Sequence, residues 1–343
     1  MPQRLVDRTP RVPAARLIAE MVPPPRFAGV SFDSYVPDPA QPSQADAVRA
    51  GREFATSVGM APRRSRWRRR RRRGERDGEP GRGLYLDGGF GVGKTHLLAS
   101  AWHAAPVPAD AKAFCTFVEL TNLVGALGFG PTVEALAAHR LLCIDEFELD
   151  DPGDTVLVST LLSRLTEQGV RVAATSNTLP GRLGEGRFAA EDFLREIQQL
   201  AERFEVLRVD GDDYRHRGLA EAPAPASDES VTAAADTPGA TLDDFDALCA
   251  HLAEVHPSRY GPLLDGVTRV HLRGVRTVDD QHTALRLVVL ADRLYDRDVP
   301  VLAGGVALDR LFADELLTGG YRKKYYRAVS RLVALSRDGA AAT

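Results

Sequence analysis

Gly88-Gly89-Phe90-Gly91-Val92-Gly93-Lys94-Thr95 fits the spacing G-x-x-x-x-G-K-[ST], and His96 follows it directly. Glycines let successive backbone N–H groups close around an anion, and a helix beginning at the loop adds the positive end of its dipole. The chemistry on offer is phosphate binding: Lys94 reaches the β- and γ-phosphates of ATP, and the Thr95 hydroxyl holds Mg²⁺. The candidate nucleotide-binding residues are therefore Gly88 through His96. A second group follows from Leu141-Leu142-Cys143-Ile144, an apolar run that delivers two adjacent carboxylates, Asp145 and Glu146. Asp145 is the candidate metal ligand beside Thr95, acting through water or through Thr95, and Glu146 is the candidate base that polarises an attacking water. A third apolar run, Val170-Arg171-Val172-Ala173-Ala174, ends in Thr175-Ser176-Asn177. Asn177 at a strand end is suited to hold that water near the γ-phosphate.

Charge developed during phosphoryl transfer calls for an arginine. Arg203, in Ala201-Glu202-Arg203-Phe204, is the candidate finger, reaching a neighbour's nucleotide in a ring or filament, with Arg195 in reserve. Arg286 is the candidate arginine acting within the chain from a C-terminal domain. For Arg203 and Arg195, a solvated helix residue is the competing reading.

These groups need strands to carry them. The pattern predicts strands at 83–86, 113–118, 141–144, 170–174 and 204–209, alternating with helices at 95–102, 154–167 and 191–203. Such alternation argues an α/β fold with a parallel sheet and helices on both faces. The stretch between Thr95 and Asp145 leaves room for an additional strand between the two motifs. A helix is expected at 44–58, capped by Ser43. Residues 1–80 read as a proline-rich lead-in plus an arginine-rich flexible insertion, and 81–218 as the nucleotide-binding core. Residues 219–241, rich in Ala, Pro, Ser and Asp, read as a linker, and 242–343 as a smaller C-terminal lid or docking domain, α/β or mostly helical. One internal echo links Arg164-Leu165, Val170 and Val172 to Arg293-Leu294, Val299 and Val301. Common helix-to-strand chemistry accounts for it.

The 343 residues carry a net charge of −3 and 44% hydrophobic residues, ordinary for a globular chain of about two domains. No apolar run approaches the ~18 residues of a membrane helix, and no signal-like segment opens the chain. Cys115, Cys143 and Cys249 show no metal-ligand spacing and read as reduced, which favours a cytoplasmic protein. The charge is unevenly spread. Arg63, Arg64 and Arg66 precede six consecutive arginines ending at Arg73. That block reads as a solvated insertion, or as an arm for nucleic acid or an acidic surface, including peripheral membrane contact.

Taken together, the phosphate loop, Asp145-Glu146, Asn177 and the arginine before the last core strand resemble an AAA+ ATPase. The implied fold is a P-loop NTPase three-layer core of the ASCE type. More narrowly, the chain resembles the ZapE-type cell-division ATPases, in a version that looks actinobacterial. The segments that carry this are Gly83-Leu84-Tyr85-Leu86-Asp87-Gly88-Gly89, Asp145-Glu146-Phe147, Ala174-Thr175-Ser176-Asn177, Asp213-Tyr214-Arg215, Leu294-Tyr295-Asp296 with Val299-Pro300, and Ser330-Arg331-Leu332. Pro23-Pro24-Pro25-Arg26-Phe27 and Phe32-Asp33-Ser34-Tyr35 fit as well. The arginine block and the long 219–241 stretch depart from the pattern. The resemblance implies ATP hydrolysis at the inner face of the inner membrane, nucleotide-dependent homo-oligomers, and a tubulin-like division-ring protein as partner. Two other readings stay open: a DNA-remodelling or helicase-loader-like ATPase, and a nucleotide-gated scaffold without catalysis.

Overall fold

The computed structural model describes residues 2–10, 13–59, 82–89, 91–148, 152–179, 198–199, 201–211 and 222–341. The arginine block, Phe90, Arg195 and Asp213-Tyr214-Arg215 lie outside the described residues, as does most of the helix expected at 191–203. Two compact units emerge. One comprises residues 14–23 and 27–214, the other residues 1–13, 24–26 and 215–343.

The first unit is built on a five-stranded parallel sheet of β1 (Gly83–Gly88), β2 (Lys112–Thr116), β3 (Leu141–Asp145), β4 (Arg171–Ser176) and β5 (Phe204–Val209), ordered β2-β3-β4-β1-β5. Its helices are α1 (Ala14–Ala19), α2 (Pro42–Ser57), α3 (Lys94–Ala104), α4 (Phe117–Leu127), α5 (Phe129–Ala137) and α6 (Pro152–Glu167). Strands buried on both faces read as apolar runs rather than alternations, and each face has its own core. Leu84, Leu86, Leu97, Leu98, Cys143 and Ala173 form one. Tyr85, Leu142, Ile144, Phe147, Leu161 and Val172 form the other.

Two local expectations shift. Phe117 and Val118, expected in a strand, open α4 instead. Thr116 caps that helix by accepting from Glu119 N, while the Glu119 side chain accepts from Thr116 N. This reciprocal pair is worth about 1 kcal/mol to the helix end. Ser43 is not the cap of α2, which begins at Pro42; the Ser43 hydroxyl accepts from Asp210 N at 3.0 Å.

The second unit holds a three-stranded parallel sheet, β6 (Ala240–Asp244), β7 (Arg269–Val275) and β8 (Val301–Gly305), in sequential order. Its helices are α7 (Asp228–Ala234), α8 (Phe245–Glu254), α9 (Tyr260–Leu263), α10 (Gln281–Asp296), α11 (Asp314–Thr318) and α12 (Arg322–Ala341). The unit is thus α/β. The second half of the expected linker is also structured. Ser227 caps α7 by accepting from Ser230 N at 3.2 Å, Asp228 and Glu229 occupy the first turn, and Val231 is buried. Small residues that resemble a linker in composition become a helix once capped and anchored by one apolar side chain.

The lead-in divides between the units. Leu242 N donates to Gln3 O at 2.9 Å, and the Asp243 carboxylate accepts from Leu5 N at 3.0 Å and Val6 N at 3.2 Å. The first residues therefore extend the edge of the C-terminal sheet. Among the described residues no helix is long and apolar enough to cross a membrane.

Candidate functional site

The strand order creates the site. β1 emerges between β4 and β5, and β4 lies between β1 and β3. Three neighbouring strands therefore end side by side at their carboxyl edge. β1 leads into the glycine loop, β3 delivers Asp145, and β4 delivers Thr175 and, just past its end, Asn177. A crevice at such a topological switch point is where open parallel sheets bind ligands.

The loop is shaped by its glycines. Gly91 and Gly93 have φ of 74° and 87°, and Gly93 leads directly into α3. A Cβ on Gly93 would lie 2.5 Å from Tyr35 Cε2. Lys94 Nζ donates to Gly88 O at 3.0 Å, to Gly89 O, and to Asn177 Oδ1 at 2.8 Å. The Thr95 hydroxyl donates to Asp145 at 3.0 and 3.2 Å. The structure thus brings Lys94, Thr95, Asp145 and Asn177 together around the loop.

Glu146 follows Asp145 with φ of 55°, a left-handed conformation uncommon for a residue with a Cβ. Thr175 holds it there. The buried Thr175 hydroxyl donates to Asp145 Oδ1 and accepts from Glu146 N at 3.0 Å, while Thr175 O accepts from Phe147 N at 2.7 Å. Tyr85 lies beneath, its ring edge-on to Phe147 and its hydroxyl donating to Thr178 O at 2.7 Å. Burial pushes the Tyr85 hydroxyl far up from its ordinary value, so it remains a donor.

The outer side of the loop is strapped by the lead-in. Tyr35 OH donates to Val92 O at 2.8 Å. His96 Nε2 is within 2.9 Å of Ser34 Oγ and 3.0 Å of Ser31 O, and its ring meets Tyr35 edge-on. The His96 side chain, expected among the nucleotide-binding groups, therefore anchors the strap.

Each of the two candidate arginines has hydrogen-bond partners inside its own unit. Arg203 precedes β5, which runs in register with β1 from Gly83↔Phe204 to Gly88↔Val209. A six-residue strand, roughly 20 Å long, separates it from the phosphate loop of its own chain. Its guanidinium donates to Ser163 Oγ at 2.9 Å and Thr166 Oγ1 at 3.0 Å on α6. Arg286 lies on α10 of the second unit. Its Nη1 donates to Leu252 O at 2.7 Å, Val255 O at 3.3 Å and Tyr260 OH at 3.3 Å, closing the carboxyl end of α8 inside the second unit. A cation suits the last carbonyls of a helix.

The profile of the AFG1-like ATPase family matches residues 11–239 and 229–341. The chain belongs to that family. It is 33% identical over 166 residues to the cell division protein ZapE of Escherichia coli K12, covering 44% of this chain and 44% of that one. An uncharacterized Schizosaccharomyces pombe protein is 30% identical over 149 residues, 39% of this chain and 33% of that one. The chain spans under half the length of these curated relatives. Among solved structures, DnaI aligns with 16% identity and a TM-score of 0.41, over 56% of this chain and 96% of that one. AMPPCP-bound DnaA from Aquifex aeolicus aligns with 12% identity and a TM-score of 0.40, over 54% of this chain and 51% of that one.

Sequence reasoning about this AFG1-like chain missed three contributors. Thr175 and Tyr35 carried no assigned chemistry, and Glu148 carried none either. The Asn177 Nδ2 donates to Glu148 Oε1 at 3.4 Å. A hydroxyl directly following an apolar run, at the polar end of its strand, was the available signal for Thr175.

Proposed function

We propose that the chain binds ATP with a divalent cation, hydrolyses it, and couples the cycle to a conformational change on a protein partner in cell division. The observation that carries the chemistry is the convergence of Lys94, Thr95, Asp145 and Asn177 from three adjacent strand ends. Two hard oxygen donors, the Thr95 hydroxyl and the Asp145 carboxylate, lie within 3.2 Å of each other, and Asp145 is 5% exposed. That set fits Mg²⁺, which takes one or two protein oxygens and leaves the rest to phosphates and water. Among the described residues no cluster of three His, Cys, Asp or Glu offers a fuller protein cage. Thr95 and Asp145 would hold the cation, which would supply positive charge to offset that of the phosphates.

The remaining roles belong to the chain. Backbone amides of the glycine loop cradle the phosphates, and Lys94 exchanges Gly88 O, Gly89 O and Asn177 for phosphate oxygens. Glu146 takes the proton of the attacking water, held in place by its left-handed backbone and by Thr175. The partner coupling rests on the ZapE relative, whose name places it in cell division.

The test compares two variants. Lys94→Ala should lose ATP binding, while Glu146→Gln should bind ATP and lose turnover by about 100-fold or more. Normal hydrolysis by Glu146→Gln would remove Glu146 as the base. The same ATP-trapped form should co-sediment with the polymerised tubulin-like division protein and Lys94→Ala should not. Equal sedimentation of both would separate partner binding from the nucleotide.

A further inference from the structure

Asn177 sits between two charges of opposite sign. Its Oδ1 accepts from Lys94 Nζ at 2.8 Å, and its Nδ2 donates to Glu148 Oε1 at 3.4 Å. An ammonium can only donate and a carboxylate can only accept. The two ends of the amide, which look alike in shape, are therefore assigned by their neighbours. Glu148 is 9% exposed, two residues beyond Glu146 and on the same strand-end loop.

We propose that Glu148 is a positioning residue that fixes the Asn177 amide, so that Oδ1 and not Nδ2 faces the reaction. The inference rests on the ATPase reading above and sharpens it. When ATP enters, Lys94 leaves Asn177 for the phosphates, and Oδ1 loses its donor. With Nδ2 still on Glu148, Oδ1 keeps its direction and can accept a hydrogen of the attacking water. Without Glu148, the amide turns: Nδ2 is drawn to the anionic γ-phosphate and the acceptor is lost. Asn177 thus acts as a water acceptor, not a phosphate donor. Glu148 reaches the reaction only through Asn177 and needs no contact with substrate.

The decisive measurement is a double-mutant cycle on steady-state ATP hydrolysis, with nucleotide binding followed separately by a fluorescent ATP analogue. Asn177→Ala should lower kcat. Glu148→Ala should lower kcat about tenfold, the scale of one hydrogen bond to a charged group, with KM for ATP within about twofold. In the Asn177→Ala background, Glu148→Ala should cost nothing further, because its only route is gone. Glu148→Gln, which keeps an acceptor at the same reach, should recover most of the rate. Additive losses, a lowered affinity with unchanged kcat, or full activity in Glu148→Ala would each overturn the proposal. A folding defect would show as lost analogue binding together with additive losses, and counts against it. If Asn177→Ala itself hydrolyses normally, the water-holding role of Asn177 falls and this inference falls with it. If Asn177→Ala is impaired and Glu148→Ala is not, only the role of Glu148 falls.

Discussion

Both units contain a parallel sheet with crossover helices, yet they differ in how the polar groups at their strand ends are partnered. In the C-terminal unit the strands follow in sequential order, β6-β7-β8, so no strand of that sheet emerges between two later ones. Its strand-end acids are tied to their own scaffold. Asp243 accepts from Leu5 N and Val6 N, Asp244 pairs with Arg273 at 2.8 Å, and Asp246 in α8 with Arg276 at 2.7 Å. In the nucleotide unit β1 is inserted between β4 and β5, and the polar groups at that edge hold one another: Lys94 with Asn177, Thr95 with Asp145. On the proposed ATP reading, a phosphate would take over Lys94 and a cation would be held by Thr95 and Asp145. The same layer architecture therefore yields permanent polar contacts in one place and exchangeable ones in the other, and strand order decides which.

The sharpest way to break this contrast is to remove a permanent contact. Asp292 on α10 accepts from Arg327 Nη2 at 2.8 Å and from Arg331 Nη1, all three largely buried. Burial pushes the Asp292 carboxyl up, but the two guanidiniums outweigh it and hold it below the usual carboxylate range. Asp292→Ala leaves two buried cations on one missing partner and should cost about 3–5 kcal/mol in a denaturant melt. A loss under about 1 kcal/mol would mean the arginines find water. The lowered value also sets a pH dependence. A carboxyl depressed on folding contributes stability above its unfolded value, near 3.9, and that contribution disappears as pH falls through the folded value. Acid unfolding below about pH 4 should therefore be weakened in Asp292→Ala relative to the parent chain.

On the exchangeable side, Gly93→Ala forces a Cβ onto a φ of 87° and to within 2.5 Å of Tyr35 Cε2. The backbone term alone is about 1–2 kcal/mol. Nucleotide affinity should fall about 10- to 100-fold by titration, with much less effect on the melt than Asp292→Ala. Unchanged affinity would mean that the loop geometry does not govern binding.

The sheet, its parallel sense and the strands ending in Asp145 and Asn177 were legible because runs buried on both faces leave an apolar signature bounded by polar residues. The echo between 164–174 and 293–303 was legible too. Val170 N donates to Leu165 O at 3.0 Å, and Val299 N to Leu294 O at 3.0 Å. Each helix turns into its strand through one left-handed residue, Gly169 in one case and Asp298 in the other. The resemblance segments around Tyr295 and Arg331 have a plain physical basis. The Arg26 and Arg331 guanidiniums lie 4.2 and 5.1 Å from the Tyr295 ring centre. What stayed hidden were pairings between distant segments that no motif announces. The jobs of Arg286 and Arg203 depend on which carbonyls and hydroxyls the fold delivers to them, and no local spacing encodes that. The dispersal of the first 26 residues over two units was hidden for the same reason.

The smallest effect we expect separates the loop from the chemistry most cleanly. Tyr35→Phe keeps the ring against Gly93 and His96 and removes only the hydroxyl that donates to Val92 O at 2.8 Å. That bond keeps one loop carbonyl engaged on the outer side, away from an incoming phosphate. Its net worth is about 1 kcal/mol, roughly fivefold in affinity. The loop cradles phosphate in the ground state and in the transition state alike, so the loss should fall on uniform binding. KM for ATP should rise about fivefold with kcat unchanged. If kcat drops in step instead, the strap reaches beyond the loop to the strand ends that carry Glu146 and Asn177, and binding and turnover are not separable in this unit.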